Sequence, residues 1–275
     1  MPANLPSFSE LTHRLLRAYD DAVQPRFLNL LKYGDASYTS WYIRSGSVTL
    51  STDRTTHLVK PDHWVFLDPF VIRTHAFSPG TRILSIAHQI EWRGGFAPYP
   101  ATDPIVLPER DRLDLLASAE ALVSTLRSAR ENTSLDSACR REGAFFSWLA
   151  LWHGVRQGAN GDASPSGPPA DARLQAALAL LSRRPGLGVI DYPYLQKTLR
   201  LSRSQIDRLF HQHLGLTPRA WCQRQTLALA QQALLASPRS IKEIAHDLRF
   251  HDASHFAKWF RSQTGRSPSQ MRRGL

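Results

Sequence analysis

Cysteine is almost absent from this chain: Cys139 and Cys222 are the only two in 275 residues. They lie far apart, so neither a disulfide framework nor a cysteine metal site is expected. Long apolar runs are missing as well. No stretch reaches the ~18 residues that mark a membrane-spanning helix. None near Met1 reads as a signal peptide, so a soluble cytoplasmic protein is expected. The chain also lacks a phosphate-cradling Gly-rich loop, a G-x-S-x-G sequence and a credible catalytic triad, which argues against an enzyme. Eleven histidines are present. His57, His63, His75 and His88 are nevertheless scattered without ligand spacing, so neither a metal nor another cofactor is expected.

Acidic charge is scarce in one region only. From Asp171 onward there are 17 Lys+Arg against 6 Asp+Glu, a balance of +11, and the remaining residues hold 17 of each. A basic module joined to a neutral one fits a polyanion reader attached to something else. A merely soluble basic surface is the plainer alternative.

Taken in order, residues 1–25 predict a short amphipathic helix with Leu11, Leu15, Tyr19 and Val23 on one side. From Phe27 to Trp92 the pattern changes to short runs rich in β-branched and aromatic residues, punctuated by Gly46, Pro61-Asp62, Asp68-Pro69 and Pro79-Gly80. Such spacing predicts a sandwich or barrel. Two helices follow, over Glu109–Arg130 and Leu135–Val155. Residues 158–170 are dense in Gly, Ser and Pro, cannot bury a core and read as a linker. The expected domains are therefore 1–157 and 171–275.

The run from Ile241 to Met271 organises the basic module. Ile241, Ile244, Ala245 and Leu248 recur at helical spacing, Asp252 stands where an N-cap belongs, and Phe256 and Phe260 form an i, i+4 pair. A helix, a corner and a second helix with one apolar and one donor-rich face is helix-turn-helix logic. The layout also occurs earlier: Phe210, Gly215 and Pro218 precede Phe260, Gly265 and Pro268 by a constant 50 residues. Between the two copies, Thr217 and Pro218 start a helix running to about Ala236, roughly 28 Å long at ~1.5 Å per residue. One turn of duplex DNA is ~34 Å, so a rod of this length can hold two recognition helices in successive major grooves.

Ile244-Ala245, Phe250, Ser254, Phe256, Phe260, Gly265 and Pro268 closely resemble the signature of AraC-type transcription regulators, and the repeat agrees with the two motifs of that family. The resemblance implies an α+β chain of two domains. The first is a cupin-like β-barrel with flanking helices that dimerise and commonly bind a small-molecule effector; the second is an all-α paired helix-turn-helix domain. It further implies a homodimer that binds double-stranded DNA sequence-specifically and contacts RNA polymerase. Four positions depart from the pattern. Arg200 and Arg249 stand where the family has Gly before each corner, Gln196 where a small Ala is usual, and Thr226 where Arg is common.

Burial of Ile206, Leu209 and Phe210 would turn Ser204, Asp207 and Arg208 outward. Arg208 can fork onto guanine O6 and N7, and Asp207 can accept from cytosine N4. Ser254, His255 and Lys258 are the outward set of the second reader. Arg200, Arg203, Arg249 and Arg261 suit phosphate, which positions a protein without reading sequence. In the β-rich region Trp41, Arg44, Trp64, His75 and His88 are the candidates for an effector pocket. Two other classes compete with a regulator: an architectural DNA binder without an effector, and a cupin enzyme fused to a DNA-binding domain.

Overall fold

The computed structural model describes residues 11–35, 37–92, 97–99, 101–128, 134–159, 171–182 and 190–273. The N-terminal part is built from β1 (Leu11–Ala22), β2 (Asn29–Tyr33), β3 (Tyr38–Ser45), β4 (Val48–Ser51), β5 (Thr56–Val59), β6 (His63–Leu67), β7 (Arg73–Phe77), β8 (Arg82–Trp92) and β9 (Ile105–Pro108). They form two antiparallel sheets, ordered β1-β8-β3-β6-β9 and β2-β7-β4-β5. Helices α1 (Leu113–Ser128) and α2 (Leu135–Ala159) complete this domain.

Period-two alternation decides which side each strand residue serves. On the central strands, Trp41, Ile43, Val65, Leu67 and Ile83 point into the core between the sheets, where Val48, Leu50 and Phe77 meet them. Their neighbours Tyr38, Tyr42, Trp64, Phe66, Leu84 and Ile86 point the other way, against Leu115, Leu122, Phe145, Trp148 and Trp152 of the two helices. The result is three layers: sheet, sheet, helix pair. Fully buried side chains of this size contribute about 1.5–3 kcal/mol each. Arg156 of α2 is also buried, paired with Asp68 at 2.7 Å. Asp68 in turn accepts from the amide and hydroxyl of Thr102, both at 2.9 Å. Arg156 engages Asp68 through Nη2, while its Nε and Nη1 find no hydrogen-bond partner among the described residues. The pair ties the helix to the sheet, and removing either partner would leave a buried charge alone.

Residues 1–10 of the helix expected over residues 1–25 lie outside the described residues, and over the described part no α-helix forms: residues 11–22 are the edge strand β1, paired with β8 from Leu11↔Trp92 to Ala22↔Arg82. A spacing of four is even as well as helical, so Leu11, Leu15, Tyr19 and Val23 satisfy strand alternation too. Long pairing with β8 decides the matter. A register shift between Leu15 and Arg17 then exchanges the faces. Leu15 and Ala18 pack toward the helices, whereas Tyr19 and Val23 pack between the sheets. Helix α2 runs to Ala159, past the expected start of the linker, and residues 160–170 lie outside the described residues.

The C-terminal domain is all helical: α3 (Ala172–Ser182), α4 (Tyr192–Leu199), α5 (Arg203–Leu214), α6 (Pro218–Ala236), α7 (Ile241–Asp247), α8 (Ala253–Thr264) and α9 (Pro268–Arg273). None of the described helices is long and apolar enough to cross a membrane. The first motif is built on a core of Leu174, Leu178, Leu195, Ile206, Leu209 and Phe210, against which Trp92 of β8 packs. The second shares its core with the β domain, because Leu30 and Tyr33 of β2 join Leu227, Leu234, Phe256, Phe260 and Met271. Gln231 of α6, wholly buried, fastens this seam. Its side chain accepts from Gly34 N at 3.2 Å and donates to Lys32 O at 3.3 Å.

Candidate nucleic-acid interface

Local chemistry starts and stops each helix of the two readers. Ser202 and Gln205 form a capping box at the start of α5, and Ser240 and Glu243 form another at α7. Asp252 caps α8 by accepting from His255 N at 2.7 Å. That bond, followed by the one from His251, holds the Asp252 carboxyl below its ordinary range. Gly215 and Gly265 end α5 and α8 in the left-handed region, at φ 66° and 76°. The spacer α6 covers Pro218–Ala236 with Thr217 as its cap, matching the span read from the sequence.

Both corners adopt the left-handed conformation despite the missing glycine: φ is 54° at Arg200 and 59° at Arg249. A non-glycine residue there costs about 1–3 kcal/mol. The chain carries that cost at equivalent places in both motifs, and both arginines are exposed.

The helix rotations follow the apolar pattern. Ile206, Leu209 and Phe210 are buried on α5, and Phe256 and Phe260 on α8. Ser204 and Arg208 are consequently exposed on the first reader, and Ser254, His255 and Lys258 on the second. Arg203 and Arg261 are exposed as well. Asp207 differs: it is half-buried and accepts a hydrogen bond from Tyr192 Oη at 3.3 Å. The Tyr192 hydroxyl is held above its ordinary pKa, first by burial and then by the Asp207 charge.

The five effector candidates of the β domain are not gathered in one pocket. Trp41 and His75 meet, with ring centroids 5.3 Å apart. Trp64 and His88 lie on the opposite, helix-facing side of the sheet, wholly buried. Arg44 is tied to Asp20 at 2.8 Å and Glu120 at 2.5 Å. Alternation places neighbours on one strand face; it cannot tell a packed core from a cavity.

A cavity of about 560 Å³ instead opens beside the seam, with Lys32, Arg54, Arg73 and Arg224 among its lining residues. Arg73 is only 2% exposed. It lies over the rings of Tyr33 and Trp41, 5.3 and 5.8 Å from their centroids, and its Nε finds no partner among the described residues. Burial lowers its pKa. Arg224 comes from α6 and donates to Phe70 O at 3.2 Å. No local pattern announces this cavity, since Lys32 and Arg224 belong to different domains. Two other features were readable but unread. Ser240-x-x-Glu243 is a capping-box sequence, and Asp191-Tyr192-Pro193 is a helix start. Asp191 does cap α4, accepting from Tyr194 N at 2.9 Å.

Residues 195–274 match the model of a family described as a helix-turn-helix domain. Among curated proteins, the HTH-type transcriptional activator RhaS of Enterobacter sp. strain 638 is 29% identical over 159 residues, covering 58% of this chain and 55% of RhaS. The arabinose operon regulatory protein of Salmonella typhimurium is 29% identical over 107 residues, covering 39% of this chain and 38% of its own. The chain thus spans about half, or less, of the curated relatives it matches. Among solved structures, an apo form of a ToxT point variant from Vibrio cholerae strain SCE256 aligns over 95% of this chain and 96% of its own, at a TM-score of 0.58 and 15% identity. Unsaturated-fatty-acid-bound wild-type ToxT from the same strain aligns over 96% and 95%, also at 0.58 and 15%. The two-domain fold is therefore that of ToxT, and residues 195–274 form a helix-turn-helix domain similar in sequence to those of RhaS and the arabinose operon regulatory protein.

Proposed function

We propose that this chain is a sequence-specific DNA-binding transcription regulator whose activity responds to a small carboxylic acid held at the seam between its domains. One observation carries the DNA-binding part: two equivalent readers, capped alike and joined by α6, expose donor-rich faces from a domain that holds the chain's entire charge excess. In this reading Ser204, Asp207, Arg208, Ser254, His255 and Lys258 meet base edges, and Arg200, Arg203, Arg249 and Arg261 meet phosphates. Pairing of two copies across the α1–α2 layer fits the same reading, because Leu113, Leu135 and Phe146 are 64%, 80% and 40% exposed there. Light scattering of the full chain at micromolar concentration checks it: the mass of two chains is expected, and that of one contradicts it. A contact with RNA polymerase belongs to the regulator reading and rests on no separate feature.

The effector part rests on the cavity. Arg73 is a buried cation in no salt bridge among the described residues, with its Nε unpartnered and only the Tyr33 hydroxyl and the Asp35 charge acting electrostatically in its favour, and a poorly paired buried charge is costly. An anion beside it would relieve that cost. Lys32 would add charge from β2 and Arg224 from the spacer helix. The acid would therefore bridge the β domain to the rod that holds both readers, and bias their placement. That ToxT has been solved with an unsaturated fatty acid, and with (E)-4-(8-methylnaphthalen-1-yl)but-3-enoic acid, supports an acid in this chain too.

Calorimetric titration of the full chain with carboxylic acids of increasing length tests this. Binding is expected for at least one acid, with Arg73→Met and Arg224→Gln each weakening it about tenfold or more, as for a lost charge-assisted hydrogen bond. Binding by none of the acids, or equal binding by the wild type and both variants, would remove the effector from the proposal.

A further inference from the structure

The first recognition helix carries two oppositely charged residues one turn apart, Arg203 and Asp207, which the i, i+4 relation places on one face of α5. Both meet a single side chain from the preceding helix. The Arg203 guanidinium lies 4.4 Å from the centre of the Tyr192 ring, and the Tyr192 hydroxyl lies 3.3 Å from Asp207 Oδ1. Tyr192 is the first residue of α4, and its position is firm because Asp191 caps that helix and Pro193 sets its first turn. The start of α5 is equally firm, held by the Ser202–Gln205 capping box.

We infer that Tyr192 is a positioning residue for DNA reading, holding Asp207 for a base and Arg203 for the backbone. This rests on the assignment of α5 as a reader. Three considerations carry it. First, a carboxylate has two oxygens, and Tyr192 engages Oδ1. Oδ2 takes no hydrogen bond among the described residues and stays available as an acceptor for cytosine N4. Second, an unheld carboxylate on a surface facing phosphates is repelled by them; the Tyr192 hydroxyl and the Arg203 charge offset that repulsion where Asp207 stands. Third, Arg203 sits in the first turn of α5, where a cation opposes the helix dipole. Helix stability does not account for it there, whereas stacking on Tyr192 restricts a flexible, exposed side chain to one region.

The two roles of Tyr192 come apart under substitution. Tyr192→Phe removes the hydroxyl and keeps the ring; Tyr192→Ala removes both. The full-length wild type first selects a preferred duplex from a random pool. The wild type, Tyr192→Phe, Tyr192→Ala, Asp207→Ala and the Tyr192→Phe/Asp207→Ala double variant are then titrated against that duplex, its single-base-pair variants and a scrambled duplex. Tyr192→Phe and Asp207→Ala are expected to lose preference at the same base pair, by about fivefold or more. The double variant should lose no more than either single one. The salt slope of Tyr192→Phe should match the wild type, and that of Tyr192→Ala should be about one unit shallower.

Specificity at one base pair and the salt slope are quantities that a merely structural tyrosine would not separate. If Tyr192→Phe keeps the wild-type preference, or weakens all duplexes alike, the positioning of Asp207 is overturned. An unchanged slope in Tyr192→Ala overturns the support of Arg203. Should Tyr192→Ala fail to fold, Tyr192→Phe and the double variant still decide the first point. Failure of the wild type to prefer any duplex would instead overturn the assignment of α5 as a reader, and this inference with it.

Discussion

Acidification to pH 4.5 should remove roughly 5 kcal/mol of folding stability through two histidines alone. His88 is wholly buried, boxed by Tyr38, Phe145, Trp148 and Trp152. Neither of its ring nitrogens finds a hydrogen-bond partner among the described residues. Burial, and then the nearby Arg156 charge, press its pKa down to about 3. His75 sits among Tyr33, Trp41 and Phe77, with Nε2 3.3 Å from Phe27 O. Burial and the Arg73 charge press it to about 3 as well.

The sign follows from proton uptake. Above the unfolded value near 6.5 both states are neutral and neither histidine costs anything. Between that value and about 3 the unfolded chain takes up protons that the folded chain refuses, so stability falls with pH. Each histidine contributes a slope of about 1.4 kcal/mol per pH unit in that window. Urea unfolding of the wild type and of His88→Leu at pH 7, 5.5 and 4.5 reads this directly. The variant is expected to lose about half of the pH slope, because the site is already apolar. An unchanged slope would mean that His88 is not held neutral in the core.

How much of this molecule was legible in the sequence depended on whether its signals were local. The readers announced themselves through caps, corner residues and i, i+4 pairs, all set within one or two turns. Ile206, Leu209 and Phe210 faced inward as the spacing required, and α6 kept its expected bounds. The two sheets with their helix pair were visible as a pattern of runs, but their pairing order was not. Edge strand β1 was misread because a four-residue spacing serves both periods, and only its partner β8 tells them apart. His88 was correctly placed on an apolar face, yet the face belongs to a core and not to a pocket. The seam was out of reach for a different reason. Lys32, Arg73 and Arg224 meet only after β2 docks on α6, and no window of sequence contains that contact.

The same seam bears on how DNA binding is to be measured. Leu30 and Tyr33 complete the core of the second reader, so the full chain, rather than residues 171–275 alone, is the proper object. Six cations stand exposed on the two readers and their corners: Arg200, Arg203, Arg208, Arg249, Lys258 and Arg261. If all six displace counterions, log Kd should rise with log salt at a slope of about 5, which weakens binding ~10³-fold between about 50 and 200 mM salt. Specificity is a separate quantity, since phosphate contacts are shared by all sequences; a reader should prefer its own site over scrambled DNA by about 10³-fold or more. The decisive measurement is therefore a titration of the full chain against its selected duplex and a scrambled one across that salt range. A steep slope on both duplexes, with the selected one bound far more tightly throughout, is predicted. A flat slope, or equal affinity for the two duplexes, would contradict the assignment of this chain as a sequence-specific DNA reader.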